Sequence, residues 1–97
     1  MTLESRPLCH PEVVGRVVED EAVIVLPEKG QVKVLNAVGA RIWSLLDGSR
    51  RVREVVEELC NEYDVTHAEM ESDALAFLTE LLEEGAIVLS SEEIPES

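Results

Sequence analysis

Aromatic residues are almost absent: one Trp, one Tyr and one Phe occur in 97 residues. Val, Ile, Leu and Ala must therefore build the core. Two cysteines, Cys9 and Cys60, are too few for a disulfide framework and read as reduced thiols. With His10 and His67 they match no zinc spacing, so no metal is expected. No apolar run approaches the roughly 18 residues of a membrane span, and the first residues lack the basic and apolar regions of a signal peptide. A cytoplasmic protein with no membrane partner is the expectation. Positive charge also runs out. No Lys or Arg follows Arg53. Residues 1–53 carry 8 basic and 7 acidic side chains, a net +1, whereas residues 54–97 carry 14 acidic ones and no base. Nucleic-acid affinity comes largely from phosphate neutralisation by Lys and Arg, which this half cannot supply.

What the chain does contain is strong local pattern. Valines 13, 14, 17 and 18 mark a strand over 13–18. Residues 22–26 are apolar on both faces, as in a central strand. Residues 27–30, Pro-Glu-Lys-Gly, form a turn, and Gln31–Leu35 alternates polar and apolar as an edge strand does. Short connections make these an antiparallel meander. Asn36 is a helix N-cap, with a helix to about residue 46 and a stop at Asp47-Gly48. A second helix covers 52–63 on the stripe Val52, Val55, Val56 and Leu59. Thr66 and Glu69 form a capping box that opens a third helix to about residue 84. Residues 86–89 are a final strand or extended segment. The fold class is α+β and winged-helix-like: a three-stranded antiparallel sheet followed by three helices. Residues 1–12 read as a flexible lead-in, 13–89 as the folded domain and 90–97 as an acidic disordered tail. Trp43, Ile42, Leu46, Val55, Leu59, Leu78 and Leu81 are expected to be largely buried.

No Ser, Cys or Lys has a visible base partner, and the carboxylates fall on exposed helix faces. The chain reads as a non-enzyme without cofactors. Two features point to binding. The third helix is apolar over an arc of about 160°, wider than the roughly 100° one core requires, and Met70 and Phe77 edge that arc beside Asp73 and Glu80. The strand Gln31–Leu35 has a free edge, which is a liability unless blocked or used; a peptide can pair there by strand addition. The same edge leaves the oligomeric state open between monomer and homodimer. A winged-helix DNA-binding regulator is the alternative reading, and the uncompensated acidic half opposes it.

The pieces Leu35-Asn36, Gly39, Ile42-Trp43 and Leu46-Asp47-Gly48 resemble the L-N-x-x-G-x-x-I-W-x-x-L-D-G signature of the PqqD family. Val52, Glu54-Val55, Leu59 and Tyr63-Asp64-Val65 continue it. Asp73, Phe77-Leu78, Leu81 and Gly85 resemble its ending. The resemblance spans about residues 13–89, with Val38 where the family often has Thr. It implies a precursor-peptide recognition element of the kind that serves pyrroloquinoline quinone or lasso-peptide synthesis. Such a protein binds the leader of a ribosomally made peptide and presents it to a modifying enzyme, such as a radical S-adenosylmethionine maturase. The family's mode of binding implicates Gln31, Val32, Lys33, Val34 and Leu35 on the strand, with Asp73 and Phe77 on the helix.

Overall fold

A computed structural model describes residues 1–26 and 30–90. Most of the expected 27–30 turn and the expected acidic tail beyond residue 90 lie outside those residues. The order of elements is β1 (Pro7–Cys9), β2 (Val14–Val18), β3 (Glu21–Leu26), β4 (Gln31–Leu35), α1 (Ala37–Ser44), α2 (Val52–Glu62), α3 (His67–Glu83) and β5 (Ile87–Leu89).

The antiparallel meander is present, with β3 central between β2 and β4. Its register alternates cleanly. Ala22, Ile24, Leu26 and Leu35 are buried beneath the helices, and the opposite face shows Val14, Val25, Val32 and Val34. The β2–β3 loop is only Glu19-Asp20, closing on the Val18–Glu21 pair, with Glu19 at φ 57°. A two-residue loop closes on a pair that exchanges both backbone bonds. Alternation along β3 then turns the backbone groups of Val32 and Val34 to the free side of β4, and those of Gly15 and Val17 to the free side of β2.

Each helix starts where a side chain satisfies an orphan N–H. Asn36 Oδ1 accepts from Gly39 N–H at 2.8 Å, and Thr66 Oγ1 accepts from Glu69 N–H at 3.1 Å. At the start of α2, Arg51 N–H donates to Glu54 Oε1 at 2.7 Å. Helix α1 ends at Ser44, earlier than its sequence suggests, and Gly48 takes the positive φ of the following turn. The apolar stripes of α2 and α3 then meet: Val52, Val55, Val56, Leu59, Leu78 and Leu81 are fully buried. Each such side chain contributes about 1.5–3 kcal/mol of transfer free energy.

Two expectations need correction. Residues 1–12 are not a lead-in without regular structure. Here β1 pairs antiparallel with β5, Pro7 to Leu89 through Cys9 to Ile87. The carbonyls of Ser5 and Leu3 accept from the N–H groups of Val52 and Arg53 at 2.9 and 3.0 Å. The segment thus caps α2 and supplies the partner of the final strand. These are backbone bonds, and backbone bonds leave no composition signal. Trp43 is the second correction. It is half-buried, unlike Ile42, Leu46, Val55, Leu59, Leu78 and Leu81. Its indole lies against β2, where a Cβ on Gly15 would stand 3.0 Å from Nε1. Gly15 is what allows that approach.

Candidate peptide-binding cleft

A cavity of about 510 Å³ opens between α1 and α3, lined by Val38, Gly39, Ile42, Met70, Asp73, Phe77 and Glu80, with Tyr63 and Val65 from the α2–α3 turn. Local sequence dictates its shape. Leu35 is the last residue of β4 and Asn36 caps α1, so the strand hands directly to the helix. Gly39 sits in the first turn of α1. A Cβ there would come within 3.3 Å of Phe77 Cζ and 3.4 Å of Leu35 Cβ. Glycine therefore lets the Phe77 ring close against the α1 start, which fixes the cavity wall.

The polar groups are few and unequal. Lys33, on the inward face of β4, donates to Glu80 Oε2 at 2.9 Å and lies 3.4 Å from Glu84 Oε1. The Glu80 hydrogen bond raises the Lys33 pKa, so the ammonium stays charged. Asp73 is exposed, seven residues before Glu80 on the same helix. The cavity thus offers apolar walls with a carboxylate at one end and an ion-paired cluster at the other.

Phe77 and Asp73 therefore line one cavity, as the sequence suggested. The five strand residues divide. Leu35 is buried, Lys33 reaches to α3, and Gln31 points the same way by alternation. Val32 and Val34 are 63% and 62% exposed on the face away from Phe77. Residues one apart on a strand face opposite sides, so the side chains of Val32 and Val34 share no pocket with Phe77. Neither residue lines the cavity; β4 approaches its wall through Lys33, which reaches Glu80, and through Leu35, beside Gly39. Sequence reasoning missed Tyr63 and Val65. They come from the α2–α3 turn, and nothing in their local pattern marks a pocket wall.

Elsewhere, chemistry is sparse. Among the described residues no group of three or more His, Cys, Asp or Glu could hold a metal. Cys9 and Cys60 are free, and burial pushes the Cys9 thiol up in pKa. The basic cluster after α1 is spent internally: Arg50 pairs with Asp47, and Arg51 and Arg53 with Glu4. No helix among the described residues is long and apolar enough to cross a membrane.

Comparison with known proteins agrees with this geometry. Residues 21–87 match the family described as Coenzyme PQQ synthesis protein D (PqqD). A PqqA binding protein of Rhodopseudomonas palustris (strain BisB5) is 30% identical over 73 residues, 75% of this chain and 70% of that protein. A PqqA binding protein of Gluconobacter oxydans (strain 621H) is 33% identical over 70 residues, 72% of this chain and 71% of that one. Among solved structures, TbiB1 in complex with the TbiA(beta) leader peptide superimposes with a TM-score of 0.77 at 35% identity, covering 82% of this chain and 93% of that chain. Lasso peptide synthetase B1 complexed with the leader peptide gives 0.75 at 25% identity, covering 86% and 98%.

Proposed function

The chain belongs to the PqqD family, and from that premise we propose that it is a non-catalytic adaptor for the leader of a ribosomally made precursor peptide. The leader adds as an antiparallel or parallel strand to the free edge of β4, pairing with the backbone of Val32 and Val34. Alternate leader side chains then point down into the α1–α3 cavity, where an apolar anchor meets Phe77 and Met70 and a basic residue meets Asp73. The peptide beyond the leader stays outside the cleft, available to a modifying enzyme, for which a radical S-adenosylmethionine maturase is our candidate. The observation that carries this reading is the juxtaposition of an unpaired strand edge with an apolar cavity that has an acidic end. An edge supplies affinity through main-chain bonds, and the cavity beside it supplies side-chain selection.

The test is a selection from a random-sequence peptide library displayed on its encoding RNA, with the purified protein as bait. We expect enriched peptides to carry apolar anchors at alternate positions with a basic residue nearby, and to compete with one another for a single site. Titration calorimetry then measures the strongest peptide on Phe77→Ala and Asp73→Ala. Enrichment of no peptide, or unchanged affinity on both folded variants, would reject the reading. A gel-shift titration at low salt should show no duplex DNA binding, since electrostatic attraction is strongest there.

A further inference from the structure

Helix α3 sets two carboxylates along the cleft, Asp73 and Glu80, with Glu84 just past its end, and the helix carries no Lys or Arg. No Lys or Arg follows Arg53 in the chain, so any neutralising charge must reach across from another element. One does. Lys33 spans from the inward face of β4 to Glu80 Oε2 at 2.9 Å and to Glu84 Oε1 at 3.4 Å. Its side chain is only 23% exposed, so the ammonium lies between strand and helix and not in open solvent. The two ends of the cleft therefore differ. At one end Asp73 is open to solvent. At the other, two carboxylates share a fixed cation.

We propose that Lys33 is a specificity-determining residue: it occupies the Glu80–Glu84 end of the cleft, so that a bound peptide is read for a basic side chain at the Asp73 end alone. This rests on the peptide-binding reading above and adds the charge pattern of the ligand to it. A peptide cation approaching Glu80 would have to displace an ammonium already held there. One approaching Asp73 displaces only water. Removing the Lys33 charge frees a second anionic position. Asp73 and Glu80 are seven residues apart, roughly 10 Å along the helix at 1.5 Å per residue. An extended peptide covers that distance in about three residues at 3.3 Å each. With alternate side chains facing the cleft, the second basic residue falls two or four positions from the first.

The experiment repeats the displayed random-peptide selection on the wild type, Lys33→Met and Lys33→Arg, with thermal melts of all three. The wild type should enrich one basic position. Lys33→Met should enrich a second, two or four residues away, at least about threefold over the wild type, with steeper salt dependence of binding. Lys33→Arg should restore the single-position pattern. A Lys33→Met pattern identical to that of the wild type, from a folded variant that binds peptide, overturns the proposal and leaves peptide binding intact. A wild type that enriches nothing removes the peptide-binding reading and this inference with it. Should Lys33→Met not fold, a lysine scan through one wild-type-selected peptide decides. One position where Lys strengthens binding supports the proposal, and two positions at that spacing reject it.

Discussion

The sheet has two free edges, and the openings near them differ in size. Strands β2 and β4 both flank β3, both are five residues long, and both turn backbone groups outward. Val14 and Val32 are similarly exposed, at 67% and 63%, but β2 is exposed at all five residues whereas β4 buries Leu35. What lies beneath them differs. Under β2, Gly15 admits the Trp43 indole, which fills the space to α1. The groove left beside it, near Val17, Ala37 and Arg41, is about 230 Å³, less than half the volume of the α1–α3 cavity. Under β4, the chain turns immediately into α1, and Gly39 with Phe77 leaves the larger opening. Two edges alike in hydrogen-bonding capacity thus differ in the side-chain room beside them, and in the proposed binding mode that room supplies selection, because main-chain pairing is generic and a side-chain pocket is not.

Paired proline substitutions break this comparison most sharply. Val34→Pro removes an outward N–H from β4 and places a ring on its edge. Peptide binding should weaken by about 2–4 kcal/mol, read by calorimetry with a library-selected peptide. Val17→Pro makes the matched change on β2 and should leave affinity within about twofold while costing comparable stability. Circular dichroism on both variants separates edge blockage from unfolding. Equal losses of affinity would show that the two edges are not functionally distinct.

The next effect falls on stability instead of binding. Trp43→Ala empties the space beneath β2. Full burial would make this worth about 3–5 kcal/mol; half-burial lowers the expected loss to about 2 kcal/mol in urea unfolding. Peptide affinity should scarcely change. Asp73→Ala is the mirror case. Its carboxylate is exposed, so the urea midpoint should hold while selected-peptide affinity falls by about 1 kcal/mol. The pair of variants separates the structural side of the sheet from the binding side.

The smallest effect concerns the ion pair beside β2. Arg41 donates from Nε and Nη2 to the Glu62 carboxylate at 2.6–3.0 Å, and those bonds hold Glu62 below the usual carboxylate range. A depressed folded-state pKa adds stability above the unfolded value, lost as pH falls through the folded one. Glu62→Gln should therefore lower the melting temperature slightly near pH 7, and the difference should shrink as acid protonates the folded-state Glu62 carboxylate. Because the pair lies away from the α1–α3 cavity, peptide affinity at pH 7 should not respond.

The comparison also shows where sequence stops being informative. Strands β2 to β4 and all three helices were legible because each rests on local signals: valine alternation, the Asn36 and Thr66 caps, and the glycines at 48 and 85. Phe77 and Asp73 could be placed at a margin of α3 because helical spacing fixes which residues share a face. The β1–β5 pair was not legible, since it joins residues 80 apart through backbone bonds that any side chains permit. The facing of Val32 and Val34 was undetermined for a related reason. An edge strand with Val32 and Val34 on one face and Leu35 on the other fits either facing until its register with β3 is set. Local sequence carried strands β2 to β4, the three helices, their order and the acidic helical half, because propensity, capping and charge are properties of short segments. Which opening lies near which edge, the seating of Trp43 against Gly15 and the reach of Lys33 to Glu80 were settled by tertiary packing. Those outcomes depend on distances between elements far apart in the chain, and no window of sequence contains them.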